Sequence, residues 1–264
     1  MPIGSCRLCQ KERELQDSHL MPAGIYAIVR DGDHPADHPV LMMKGAAVAT
    51  SAQARAHMLC AECERRFDKG GEEWVIENCW HGEGNFPLRT ALVAAPAFVD
   101  EPGFRAFEAR NVLGVDLDRL VYFAASVFWR GALAGWRIGK GRPTRLPLGP
   151  YEEELRQFLL GEMPFPQHIL LIITLSEKQN ALNNRNMSLP FGGGRSENGY
   201  HYECVIPGIM FLMLVGSHIP PSMRRMGTMP SGFLFIAEEG DSRKLTAMVS
   251  TSRESPRRGK LSKR

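Results

Sequence analysis

The sequence predicts an α+β fold: a cysteine-clamped N-terminal module followed by helices packed on a small antiparallel sheet. Three observations carry this reading. Two Cys-x-x-Cys pairs, Cys6–Cys9 and Cys60–Cys63, bracket the first quarter of the chain. Apolar residues recur at steps of three and four between Asp116 and Trp136. The last third is built from short β-branched and apolar runs. At 264 residues, with 44% apolar and 23% charged side chains, the chain can bury a sizeable core in one or two domains. The expected division is a metal-bound module over 1–80, an α+β domain over 81–241 and a basic tail over 242–264.

The paired cysteines come first. A two-residue gap lets both sulfurs of one turn reach a single ion, so Cys6, Cys9, Cys60 and Cys63 form the ligand set of a structural zinc site. A redox Cys-x-x-Cys normally occurs singly and beside a βαβ pattern, which is absent here. Cys79 and Cys204 remain, and read as ordinary buried thiols.

Between the pairs lies Asp17-Ser18-His19-Leu20-Met21-Pro22, and Glu64-Arg65-Arg66-Phe67 follows the second pair directly. This order resembles the HNH, or ββα-metal, endonucleases of the zinc-knuckle type, over about residues 4 to 75. There a knuckle precedes an Asp-His-x-x-Pro strand, and a second Cys-x-x-Cys opens a helix carrying a metal ligand. The resemblance implies a ββα/treble-clef module and hydrolysis of nucleic-acid phosphodiesters, with DNA the expected substrate. His19 becomes the general base and Glu64 a ligand of a catalytic Mg²⁺ or Mn²⁺. An imidazole suits the first role because its ordinary pKa is near neutrality. A carboxylate suits the second because hard divalent cations prefer oxygen. Ser18 stands where the family has Asp. Arg55 stands about where it has a middle Asn, with Gln53 and His57 as alternatives. Asp37-His38 is a rival dyad, ranked below His19 because turn-forming prolines surround it. The competing function is a non-catalytic treble-clef module that binds nucleic acid or a protein partner. By analogy alone, small nucleases with appended domains serve in conflict between phages and their hosts.

The remaining elements follow in order. Gly70-Gly71 is expected to end the helix that Cys60 opens, and Asp68, Glu72 and Glu73 to form a mostly solvated face. The stripe from Leu117 to Ala134 predicts a core helix, with Arg130 and Arg137 at or near its end. Tyr151 to Glu162 reads as a second helix, acidic in its first turn and stopped by Pro164 and Pro166. His168 to Leu175 reads as a central strand. Residues 200–206, 208–216 and 232–237 complete the sheet, and Gly192 to Ser196 reads as a flexible loop. That loop lacks a following Gly-Lys-Ser/Thr, so it is not a phosphate loop.

Net charge is only +3, which excludes a global basic field. Charge is uneven, because residues 242–264 hold eight Lys and Arg against Glu254 alone. Such a tail either adds salt-sensitive phosphate contacts or is a disordered end. The N-terminus turns polar at once, and the most apolar run, Cys204 to Val215, is short and broken by Pro207-Gly208. A cytoplasmic protein without a membrane partner is expected, with self-association into a homo-oligomer left open.

Overall fold

The computed structural model describes residues 1–30, 40–43, 46–49, 51–139, 141, 145–178, 184–197, 199–217, 219–237 and 257–259. The chain is α+β, with helices and largely antiparallel sheets. Strands β1 (Ile3–Ser5) and β2 (Glu12–His19) flank the first cysteine pair. After α1 (Ala23–Arg30) come β3 (Val40–Met43), β4 (Ala46–Ala49) and β5 (Ala54–Cys60). β5 pairs antiparallel with β2 and runs straight into α2 (Ala61–Phe67).

The helix does not stop at the glycine pair. A π-helical turn, Asp68–Glu72, carries it into α3 (Glu73–Asn78). The two glycines serve close packing instead. A Cβ on Gly71 would lie 2.4 Å from the Arg119 carbonyl oxygen, and one on Gly70 2.4 Å from the Tyr122 ring. The wider turn and the missing side chains together let this segment press against α5 (Leu117–Ala132). Every residue of α5 from Phe123 to Ala132 is buried. A helix apolar on all sides belongs in a core, and α5 sits between the N-terminal helices and a large sheet. Phe67 of α2 meets Trp129 with ring centroids 6.0 Å apart, and Phe123 meets Phe211 on the other side at 5.6 Å.

The sheet is larger than the sequence suggests. It has seven strands in the order β10-β11-β12-β9-β13-β7-β6, comprising β6 (Val99–Glu101), β7 (Phe104–Glu108), β9 (Ile169–Ser176), β10 (Ser188–Ser196), β11 (Gly199–Ile206), β12 (Ile209–Val215) and β13 (Phe233–Ala237). The expected central strand is β9, which pairs antiparallel with β12 and parallel with β13. Gly192 to Ser196 is no loop; it lies within β10, which pairs with β11 across two irregularities in register. Small residues at a bulged edge strand supply the bend that the sequence presents as looseness.

Three further α-helices stand among the described residues: α4 (Pro87–Val93), α6 (Tyr151–Leu160) and α7 (Pro221–Arg225). α6 ends at Gly161, which takes φ 75° as its left-handed cap. α6 also braces the N-terminal module. Arg156 donates to the Leu8 carbonyl at 2.8 Å and Arg66 to that of Leu160 at 3.2 Å, while Tyr122 of α5 donates to that of Leu159 at 2.9 Å. The short strand β8 (Arg137–Ile138) adds to β5, so a four-stranded sheet β1-β2-β5-β8 forms around the module. One hydrophobic core runs from Cys6 and Leu8 through α5 to Leu234 and Ile236. Of the basic C-terminal segment only β14 (Arg257–Gly259) is described, parallel to β4. No helix among the described residues is long and apolar enough to cross a membrane.

Candidate functional site

The knuckle is a tight turn between β1 and β2. Gln10 donates its backbone N–H to the Cys6 carbonyl at 2.8 Å, Cys6 donates to that of Lys11 at 2.9 Å, and Gln10 takes the left-handed φ of 60° that reverses the chain. The second pair comes from the β5–α2 junction, where Cys60 is the N-cap of α2 and Cys63 lies in its first turn. The four sulfurs converge, all within 4.8 Å of one another, with Cys9 and Cys60 Sγ 4.0 Å apart. Four ligands about 2.3 Å from a tetrahedral zinc are spaced about 3.8 Å apart, so this cluster can hold the ion with little contraction. The backbone N–H of Cys60 points at Cys6 Sγ, 3.4 Å away. A hydrogen bond from the Cys63 thiol holds Cys6 toward the thiolate, the form that binds metal. Cys79 and Cys204 lie apart from this cluster, fully buried, and burial pushes Cys79 up to about 12.

A bulge lies between the knuckle and the end of β2. Gln16 pairs with Leu59 but Asp17 pairs with His57, which leaves Met58 without a register partner. The knuckle captures the extra residue, since Arg7 donates its N–H to the Met58 carbonyl at 2.9 Å. Bulges re-aim side chains. Here Leu15 and Ser18 both turn inward, while Asp17 faces out and pairs with Arg55 at 2.5 Å.

Ser18 is 2% exposed, and its hydroxyl accepts the Leu59 N–H at 3.2 Å. Next to it on α2 stands Glu64. Burial pushes the Glu64 carboxyl up, and a hydrogen bond from Ser18 partly offsets this. Glu64 Oε1 is buried and has no hydrogen-bond partner among the described residues. One turn further, burial also pushes Asp68 up. Glu72 follows another turn on. It is not part of a solvated face: its carboxylate accepts from Arg130 at 2.5 Å, with the two side chains 10% and 2% exposed. Glu73 alone fits the expectation, pairing with Lys69 near solvent.

Arg130 departs most from the reading of the sequence. It is not a solvent-facing helix-end residue. Its guanidinium donates to the His19 carbonyl at 3.0 Å and to Ser126 Oγ at 3.1 Å, and lies 5.0 Å from the centre of the Phe67 ring. It also counters the upward shift of both Glu64 and Asp68. A signal was available: Arg130 is the lone charge between Arg119 and Arg137, in a run apolar on every side. A fully buried Arg requires an acidic partner.

His19 closes β2, half-buried and directly opposite Arg55. Burial and the neighbouring Arg55 charge push its pKa down, against a hydrogen bond with Gln53. The imidazole is therefore neutral at neutral pH and able to accept a proton. His19 follows Ser18, the residue next to Glu64, and Arg130 is tied to both sides, donating to the His19 carbonyl and countering the shift of Glu64. Asp37 and His38 fall outside the described residues. No protein-family model, curated protein or solved structure matches this chain.

Proposed function

We propose that the chain is a metal-dependent endonuclease of the HNH type that hydrolyses nucleic-acid phosphodiesters. The knuckle, the β2–β5 pair and α2 are read as its treble-clef ββα module, with Cys6, Cys9, Cys60 and Cys63 as zinc ligands. The observation that carries the proposal is the buried, unpartnered Glu64 oxygen beside the strand end that bears a neutral His19. A carboxylate oxygen removed from water without a donor is costly. A bound cation would satisfy it.

Glu64, joined by Asp68 one turn later, would hold the Mg²⁺ or Mn²⁺. A divalent ion there supplies positive charge for the scissile phosphate and the departing oxygen. His19 takes a proton from the attacking water. Its depressed pKa keeps the accepting nitrogen free at neutral pH. Gln53 fixes the ring and Arg130 fixes the backbone beneath it, through the His19 carbonyl. Ser18 contributes a hydroxyl where the family supplies a carboxylate, which predicts weaker metal binding than an Asp-bearing relative would have.

One observation favours the second reading, a non-catalytic zinc module binding nucleic acid or a protein. Arg130 already places a positive charge among Glu64, Asp68 and Glu72. A Mn²⁺ titration by calorimetry, on protein already loaded with zinc, separates the two. A second, weaker site lost in Glu64→Gln supports the nuclease. Zinc alone, with no heat from Mn²⁺, supports the binding module.

A further inference from the structure

The outer face of the β2–β5–β8 sheet carries a row of cationic groups. Arg55 on β5 stands directly opposite His19 on β2 and directly opposite Arg137 on β8. Directly opposed residues have Cβ atoms about 5 Å apart and share a face, and like charges so placed cost stability. The next pair along is Asp17 and His57. Arg55, Arg137, Asp17 and His57, with Arg7 from the knuckle, line an open pocket of about 400 Å³, and His19 stands at its edge opposite Arg55. Three arginines line it, and among the described residues Asp17 is the one carboxylate in the lining, committed to Arg55. Among the described residues neither Arg7 nor Arg137 has an ion-pair partner. The floor comes from Met58, the bulged residue whose carbonyl the knuckle holds. The pocket is thus shaped by the zinc-clamped turn on one side and by the segment after α5 on the other.

We propose that this pocket binds the phosphates of a nucleic-acid strand and delivers it to His19. The fork of an arginine matches a phosphate bidentately. An anion between Arg55 and Arg137 relieves the repulsion that the pairing of β5 with β8 builds in. Because His19 ends the same row, a strand held in the pocket runs past the imidazole. Such contacts set register rather than read sequence. The chain's small net charge makes this local cluster, rather than an overall field, the source of affinity. The proposal rests on the nuclease reading for what happens at His19, but the binding requires neither the catalytic cation nor cleavage.

The test uses the full-length, zinc-loaded chain and a fluorescently labelled DNA oligonucleotide, with no Mg²⁺ or Mn²⁺ added. Anisotropy is followed across a salt series for wild type, Arg137→Glu, Arg7→Glu and Arg137→Lys, with zinc content and circular dichroism as folding controls. Wild type should bind with salt-dependent affinity. Arg137→Glu should bind about tenfold more weakly, with a salt slope smaller by about one, and Arg137→Lys should lose less, keeping the charge but not the fork. Arg7→Glu should follow Arg137→Glu, and because Arg7 and Arg137 come from different elements, one misfolded variant cannot imitate both. Wild-type affinity in both folded glutamate variants would overturn the proposal and move DNA binding elsewhere, the basic C-terminal segment included. Binding of inorganic pyrophosphate without binding of the oligonucleotide would also overturn it, assigning the pocket to small phosphates. DNA binding lost in the variants but no cleavage in any metal would refute the nuclease reading and leave the pocket standing.

Discussion

The two sides of α5 face different kinds of structure. On the module side, four cysteines, a knuckle and a seven-residue helix bring buried carboxylates and an arginine close together. On the sheet side, seven strands bury Leu171, Ile173, Phe211 and Met213, and the ion pairs there, Glu177 with Arg105 and Arg89, lie nearer solvent than Arg130–Glu72. The first region is organised by a cysteine cluster able to hold a metal and by ion pairs, the second by burial. Polar interactions fix a geometry but cost desolvation, while apolar packing supplies free energy without specifying chemistry. The sheet side therefore acts as the support against which the module's expensive polar arrangement is held, with α6 as the strap across the knuckle.

Removing the metal clamp should break the contrast most severely. Cys60→Ser should lose zinc and unfold the module, because structural zinc contributes on the order of 10 kcal/mol to the fold it closes. Metal content by elemental analysis and thermal melting check this, and full zinc retention would refute the ligand set. Arg130→Met comes next. It leaves the Glu72 carboxylate buried and unpaired, which costs about 3–5 kcal/mol. In the double-mutant cycle, Arg130→Met with Glu72→Met should recover most of the loss, as denaturant melts would report. Independent, additive losses would show that the pair is not the organising contact.

The smallest effect has the opposite sign. Burial raises the Glu64 and Asp68 carboxyls, so the folded protein keeps protons that the unfolded chain has already released. Between the ordinary carboxylate range and the raised folded values, stability must therefore fall as pH rises. Glu64→Gln removes one desolvated charge and should stabilise the metal-free module by about 1 kcal/mol at neutral pH. It should also flatten that decline in a melting series against pH. His19 acts in the other direction: its contribution is complete above the ordinary histidine value and is lost as pH falls through its depressed folded value. A variant that gains stability while losing its second metal site would mark Glu64 as a residue kept for chemistry.

The module was legible in the sequence because metal ligation demands particular residues at fixed spacing. Cys6, Cys9, Cys60 and Cys63 could be read directly, and the strand bearing His19 followed from them. The sequence places Arg130 at a helix end, where arginine is common, and local pattern does not say which helix is buried on all sides. The same holds for Glu72, since a buried ion pair has its two halves far apart in sequence. Gly70 and Gly71 suggested a helix stop, but the constraint was the approach of Arg119 and Tyr122 from α5. Met58 gave no sign of its bulge, which depends on pairing with β2. The sheet strands showed in their apolar runs, whereas the count of seven and the parallel β9–β13 pairing are set by tertiary contacts alone.

The central claim is that His19 serves phosphodiester hydrolysis beside a cation held by Glu64. The most direct measurement is nicking of supercoiled plasmid by purified wild-type and His19→Ala protein, each with Mg²⁺, Mn²⁺ or chelator. Metal-dependent nicking by the wild type, abolished in a His19→Ala protein that still holds zinc and melts normally, is the predicted result. Equal nicking by the two proteins, or none by the wild type in either metal, would contradict it.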